Sequence, residues 1–415
     1  MSNKFKLSPL SELFYISTGS VNPANYPDIE FLHYSIPAYD AKRSPILEKG
    51  SSIKSNKYSI NKDSLLVSKL NPRISRVWKV EKGCNKICST EFIVYQPICD
   101  NVNLNFYEQL FKSELFQDEL LSLQSGTTGS RMRVTPNTTL SIHVPFPDIE
   151  EQQKIAEILS SVDAAIEKTE QVIAKTEEVK KGLMQQLLTK GIAHTEFKQT
   201  EIGEIPIEWS FLSLKEMLSK NIILDHLDGN HGSLYPKSSE FTEDGVPYVS
   251  ANMILDSKID FTKSKFLPLE RASKFKKGIA KNGDILFAHN ATVGPVALLE
   301  TNLDYVILST TLTYYRPNLE VLHNKFLMYY MQSNQFVKQY TKVMGQSTRN
   351  QVPITAQREF YFVLPPLKEQ LEIVAKIDII DIKLSTEKAY VDNLINLKQG
   401  LMQQLLTGQV RVKID

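Results

Sequence analysis

At 415 residues, 42% of them hydrophobic, the chain has room for two or three domains, and no run of eighteen apolar residues offers a membrane span. The start, MSNKFKLSPL, lacks the apolar stretch of a signal peptide. Three cysteines (Cys84, Cys88, Cys99) are too few and odd in number for a disulfide framework, so a cytoplasmic setting and buried thiols are expected. The net charge of +1 argues for no partner class by itself, but its distribution is uneven. Residues 1–147 carry 17 Lys and Arg against 13 Asp and Glu, and residues 208–365 carry 17 against 15. Residues 148–190 carry 6 against 9, and 366–407 carry 5 against 6. Any nucleic acid would therefore meet the mildly basic parts rather than the acidic ones.

Residues 1–147 read as a mixed α/β domain. Short β-rich runs, Ser64 to Lys69 and Thr90 to Tyr95, alternate with turn clusters such as Asn22-Pro23 and Asn71-Pro72. Phe106 to Leu123 is amphipathic and predicts a helix, followed by a Gly/Thr/Arg loop from Ser125 to Pro136 and a short strand, Ile142 to Val144. Residues 148–190 then predict one long helix, with Pro147 before it and Asp148, Glu150 and Glu151 placing negative charge in its first turn. Its apolar stripe includes Leu159, Ile166, Leu183 and Leu187 at three-to-four spacing. At ~1.5 Å per residue this helix is ~60 Å long, more than one compact domain uses. Residues 191–207 look like a polar linker containing Gly203 and Pro206.

The plan then recurs. Asp284 to Ala288 parallels Leu65 to Lys69, and Ser309-Thr310 to Pro317 parallels Ser89-Thr90 to Pro97. Phe326 to Tyr340 parallels the first amphipathic helix, and Gly345 to Pro353 parallels the loop after it. Tyr361 to Leu364 again feeds a long helix, 366–407, whose stripe includes Ile377, Leu384, Leu401 and Leu405, with a tail at 408–415. At a constant offset of 218, Pro147 falls on Pro365, Glu151-Gln152 on Glu369-Gln370, and Gly182–Thr189 (GLMQQLLT) on Gly400–Thr407. An internal duplication of this kind predicts an α+β architecture. Two similar mixed α/β domains (1–147 and 208–365) alternate with two long helices (148–190 and 366–407), packed as an antiparallel coiled coil with pseudo-two-fold symmetry.

No GxGxxG follows a strand and no GxxxxGK[ST] is present, so neither a dinucleotide loop nor a Walker-type ATPase is visible. Asn71-Pro72-Arg73 has arginine where an amino-methyltransferase loop needs a second proline. Asp148, Glu150, Glu151 and Lys154 could imitate a metal nuclease, but they are better explained as the charges of a helix start. Asp225, His226, Asp228 and His231, set among Gly229 and Gly232, read as a polar loop rather than a metal or acid–base site. Binding is what remains. Lys69, Asn71, Arg73 and Arg76 follow a strand of the first domain, and Ser130, Arg131 and Arg133 occupy its Gly/Thr/Ser loop. The equivalent places in the second domain hold His289, Asn290 and Thr292, and Ser347, Thr348, Arg349 and Asn350. Arginine to guanine and asparagine to adenine are the geometric pairings of major-groove readout, while Ser, Thr and backbone N–H suit phosphates.

These residues carry a resemblance. The pair Pro145-x-Pro147…Glu151-Gln152 and Pro365-Pro366…Glu369-Gln370 resembles the specificity subunit of type I restriction–modification enzymes. So do the helices ending in GLMQQLLT and the connector His194-Thr195-Glu196-Phe197…Ile202-Gly203-Glu204-Ile205-Pro206…Trp209. The N-terminus lacks the IGEIP…W run that precedes the second domain. The resemblance implies a non-catalytic, sequence-specific subunit with two target-recognition domains, each reading half of a bipartite site in double-stranded DNA. It also implies helices that dock two modification subunits, restriction subunits that join through those, and no membrane association. S-adenosylmethionine, ATP and Mg would belong to the partners, with no cofactor in this chain. A ~60 Å spacer suits two readers set one to two duplex turns (~34 Å each) apart. The alternatives are a coiled-coil scaffold whose heads bind protein partners, and an enzyme with an unrecognised site.

Overall fold

The computed structural model describes residues 5–126, 132–346 and 350–414. The chain forms two compact units, Met1–Val172 with Glu387–Asp415, and Ile173–Thr386. Each long helix is shared out between them: Ile149–Lys190 runs 42 residues and Leu367–Leu405 runs 39.

In the first unit, a four-stranded antiparallel sheet has the order Phe14–Ile16, Phe92–Pro97, Ser64–Ser68, Val77–Val80. Its central strands are buried on both faces, and the period-two alternation decides which core each side chain joins. Leu65, Val67, Ile93 and Tyr95 pack with the helices, while Leu66, Phe92 and Val94 pack with Trp78 and Tyr34. Beyond that second core lies a five-stranded sheet with one parallel pair, Glu30–Tyr34 beside Lys86–Ser89.

The second unit repeats the design. Its four-stranded sheet runs Ile223–Asp228, Leu312–Pro317, Ile285–Ala288, Val296–Leu298. Ile285, Phe287 and Tyr315 face one core; Leu286, Ala288 and Tyr314 face another. A further sheet again holds one parallel pair, Val246–Val249 beside Val306–Leu308.

Four sequence expectations need correction. Each amphipathic segment expected as one helix is two: Leu104–Lys112 and Glu114–Ser122, then Asn324–Met331 and Asn334–Met344. The break falls at Ser113 and Ser333, extended residues whose hydroxyls cap the following helix at Phe116 N and Phe336 N. An N-capping serine satisfies an orphan N–H that an uninterrupted helix would leave to its neighbours. The connector is folded: Phe197–Thr200 pairs with Gly203–Pro206 as a hairpin, and Lys198 Nζ donates to Ile207 O and Trp209 O. His226 lies on a strand and is buried, not in a polar loop. Cys88 is buried, its thiol pushed up to about 12 by burial, whereas Cys84 and Cys99 are exposed.

Within each unit the helix segments run antiparallel. In the first, Lys398 bonds Asp163 (2.7 Å), and Ile155 and Leu159 share a core with Leu401 and Leu405. In the second, Lys180 bonds Asp381 (2.6 Å), and Leu183 and Leu187 share a core with Ile373 and Ile377. At the offset of 218 these are the same two repeat positions with the helices exchanged. Of the remaining stripe residues, Leu384 is buried and Ile166 half-buried.

Candidate nucleic-acid interface

The site is built on backbone. In the first head the strand Ser64–Ser68 is followed by Lys69, whose N–H donates to Glu91 O (2.9 Å) while its carbonyl accepts from Val134 N–H (3.0 Å). Asn71 takes a left-handed conformation (φ 50°) and donates its N–H to Met132 O (2.8 Å). Three segments, 69–73, 89–91 and 132–134, are thereby tied into one edge.

In the second head the strand Ile285–Ala288 is followed by His289, whose N–H donates to Thr311 O (3.0 Å) and whose carbonyl accepts from Val352 N–H (2.7 Å). Ala291 is left-handed (φ 64°) and donates its N–H to Asn350 O (3.1 Å). Bond for bond, Lys69 corresponds to His289, Asn71 to Ala291, Glu91 to Thr311, Met132 to Asn350 and Val134 to Val352. A left-handed alanine is disfavoured, and the Asn350 side chain offsets this by donating Nδ2 to Ala291 O (2.6 Å). The frame is common; the side chains on it are not.

The sequence-chosen residues divide accordingly. Arg73 and Thr292 are exposed, and Lys69, Asn71 and Asn290 are half-buried on the same loops. Arg133 is exposed but makes a two-pronged pair with Glu91 (3.2 and 3.1 Å), and that hydrogen bond raises its pKa. Asn350 is exposed and shapes the loop from outside. Arg76 needs correction as a DNA contact: it is buried, and its Nε and Nη2 both go to Asp40 (2.7 and 2.8 Å). His289 is likewise buried, with Nδ1 3.1 Å from Val352 O and a pKa pushed down by burial, so it supports the loop as a neutral ring. Ser130, Arg131, Ser347, Thr348 and Arg349 lie outside the described residues.

Beneath the second loop, Gln357 holds a buried network. Its Oε1 accepts from Tyr315 OH (2.7 Å) and lies 3.2 Å from His226 Nε2; its Nε2 donates to Val352 O (3.0 Å) and Thr313 Oγ1 (3.2 Å). Burial pushes the His226 pKa down to about 4. The first head puts Tyr95 OH on Thr139 Oγ1 (2.5 Å) in the corresponding place. Glu91, Thr311 and Gln357 were not singled out from sequence, although the Ser-Thr pairs at 89–90 and 309–310 signal the first two.

The Glu-Gln pair that begins each helix fixes head to helix. Gln152 Oε1 accepts from Asn103 N–H (2.8 Å), and its Nε2 donates to Asn101 O and Pro147 O. Gln370 does the same with His323 N–H (2.8 Å), Val321 O and Pro365 O. Glu151 is buried and grips Arg411 and Val412 N–H of the tail. Glu369 takes Ile192 N–H, His194 Nε2 and Trp209 Nε1 of the connector, each at 2.9 Å. These carboxylates are clasps rather than simple decorations of a helix start.

Comparison with known proteins gives this geometry its context. A family model described as the type I restriction modification DNA specificity domain matches residues 3–178 and 206–396. The type I restriction enzyme MjaVIII specificity subunit of Methanocaldococcus jannaschii is 27% identical over 386 residues, 92% of this chain and 87% of that protein. The EcoBI specificity subunit of Escherichia coli is 20% identical over 344 residues, 78% of this chain and 70% of its own length. The crystal structure of a type I restriction–modification system S subunit from M. genitalium covers 99% of this chain and 97% of its own, with a TM-score of 0.57 at 14% identity, a likeness of fold. With the family model covering most of both heads and both helices, the chain belongs to the specificity subunits of type I restriction–modification systems.

Proposed function

We propose that each head reads one half of a bipartite site in double-stranded DNA through the edge formed by its three tied segments. One observation carries this reading: two heads share a hydrogen-bonded loop frame while presenting different side chains on it. Lys69, Arg73 and Arg133 give the first head cationic donors. Asn290, Thr292 and Asn350 give the second neutral amides and a hydroxyl, so the two half-sites differ in sequence. Arg131 and Arg349 extend the same readout. The helices dock two modification subunits, and restriction subunits join through these. In this reading the chain performs no catalysis: S-adenosylmethionine, ATP and Mg act on the partner subunits, and the assembly works in the cytoplasm.

The test is a replacement of residues 1–147 by the first head of another specificity subunit, followed by mapping of methylated positions with the modification partner present. One half of the methylated site changes and the other stays. A change in both halves, or methylation by the chain freed of partner subunits, overturns the proposal. Absence of salt-dependent DNA binding would favour a protein-binding scaffold instead.

A further inference from the structure

Neutralising phosphates supplies nearly all of the sequence-independent affinity for duplex DNA, and it needs cations. The first head has Lys69, Arg73 and Arg133 on its edge. The described reading residues of the second head, Asn290, Thr292 and Asn350 with the neutral His289 beneath them, include none. The missing charge lies one strand away. From Arg271 to Lys281 the chain holds five Lys and Arg and no Asp or Glu. Two of these have acidic partners: Arg271 Nε lies 2.5 Å from Glu240, and Lys274 Nζ lies 3.5 Å from Glu270. Lys276 and Lys277 are exposed and make no ion pair among the described residues.

The sheet brings these two lysines to the reading edge. Val306–Leu308 runs into Ser309 and Thr311, and the strand Ile279–Ala280 lies antiparallel beside it. Continued from Ile279 opposite Ile307 through the bond from Leu308 N–H to Gly278 O (2.7 Å), the register sets Lys277 beside Ser309, one strand spacing (~4.8 Å) from the edge. Two glycines make the approach close. A Cβ on Gly229 would meet Ser309 O at 2.1 Å, and one on Gly278 (φ 63°) would meet Gly229 Cα at 2.8 Å. Asp228 lies at the same end, but it is half-buried and accepts from Asn230 N–H (3.2 Å). The first head treats this position differently. Ser59 pairs with Ile87 as Ile279 pairs with Ile307, so Asn56 and Lys57 stand where Lys276 and Lys277 do. Lys57 is buried, its Nζ donating to Ser55 O (3.2 Å) and Ser55 Oγ (2.5 Å), and burial lowers its pKa. The fold is therefore satisfied there by one inward lysine and an asparagine. Two exposed ammoniums in the second head serve something outside it, and a compact charge with three donors suits a phosphate oxygen.

We infer that Lys276 and Lys277 clamp two backbone phosphates of the duplex beside the second half-site, gripping the DNA without reading it, while the first head takes its phosphates through the loop cations. This rests on the proposal that each head reads DNA through its loop edge, and adds that the second head divides reading and gripping between two separate segments.

The test uses the full chain assembled with the modification subunit of its own system. Affinity is measured by fluorescence polarisation across a salt series, on a duplex carrying the mapped methylation site and on a random duplex of equal length. Each phosphate contact contributes about −0.9 to the slope of log affinity against log salt, so Lys276→Ala/Lys277→Ala flattens the slope by about two. The loss is about sixtyfold at ~0.1 M salt and fades towards ~1 M. It is the same on both duplexes, and the methylated sequence does not change. Lys276→Arg/Lys277→Arg, which keeps both charges, restores most of the slope. Lys281→Ala removes an exposed charge of the same run at the far end of the strand and leaves the slope as it was. An unchanged slope in the double alanine variant overturns the inference. So does a loss confined to the specific duplex, or an altered second half-site, because the lysines would then be readers. If the parent assembly binds neither duplex, the DNA reading beneath the inference falls with it.

Discussion

Arg411→Ala tests whether the tail is part of the first unit's fold. Arg411 gives Nε and Nη2 to the two oxygens of Glu151 (2.9 and 2.7 Å) and lies 4.8 Å over the Phe5 ring. The Glu151 side chain is 2% exposed and that of Arg411 is 43% exposed. Truncating the arginine leaves a buried carboxylate whose remaining support is Val412 N–H at 3.2 Å. Removing one partner of a fully buried pair costs ~3–5 kcal/mol, and an exposed pair is worth ~0.2–1 kcal/mol. With one partner in each condition, about 2 kcal/mol is expected. For a unit of this size that lowers the melting temperature by about 4–8 °C. Arg411→Lys keeps a charge but loses the two-pronged geometry and recovers about half. Glu151→Gln/Arg411→Ala loses less than Arg411→Ala alone, because no unpaired charge is left buried. Calorimetry and denaturant melts measure all three. An Arg411→Ala chain within ~0.5 kcal/mol of the parent, the level of ordinary surface changes, refutes the clasp.

Three further outcomes are expected. Asn350→Ala removes the side-chain bond to Ala291 O and costs at most ~1.5 kcal/mol of stability, but it lowers affinity for the specific DNA about tenfold; unchanged affinity in a filter or polarisation assay removes this loop from the interface. His226 is ordinarily half-protonated near 6.5 but is held near 4 in the folded chain. The unfolded chain therefore binds the extra proton first: stability is full above pH 6.5 and falls by about 3 kcal/mol as pH drops to 4. His226→Gln should flatten that slope in pH-dependent melts, only in part because His231 and His289 shift in the same direction; an unaltered slope refutes the assignment. A chain ending near residue 195 lacks the Leu401 and Leu405 that cover Leu159, yet its own Gly182–Thr189 repeats that covering sequence. It should dimerise in sedimentation at micromolar concentration, and a monomer would count against interchangeable seams.

The long helices and the order of elements were legible because both rest on periodicity and on an exact eight-residue repeat. Their ends fell within two residues of expectation. The split helices were less legible: Ser113 and Ser333 interrupt apolar patterns that continue on either side, and a cap is a single hydrogen bond that periodicity ignores. The connector misled through its polarity. His194 and Trp209 look like linker residues until their partner, Glu369, comes from elsewhere in the chain, and Lys198 closes the connector on its own Ile207 O. Arg76 misled for the same reason, since its position after a strand gives no sign of Asp40, thirty-six residues earlier. The loop frames could be located from sequence but not resolved, because backbone hydrogen bonds leave no mark on side-chain identity.

The two residues of the repeated Glu-Gln pair do different work, and that difference explains how one frame supports unlike heads. Gln152 and Gln370 make the same three bonds to the same kinds of backbone atom, so a glutamine there is demanded by local geometry alone. Glu151 and Glu369 instead meet an arginine in one unit, and a histidine with an indole in the other. A carboxylate suits both because it accepts several N–H donors without dictating which residues carry them. The same logic operates at the loop edge, where main-chain bonds fix Lys69 and His289 alike and leave their side chains free to differ. A head held through backbone donors and acceptors and a tolerant carboxylate can change its reading residues without disturbing its attachment to the helix. In a specificity subunit, that separation lets new DNA sequences be read while the helix seam, built from Leu159, Leu187, Ile377 and Leu405, stays the same.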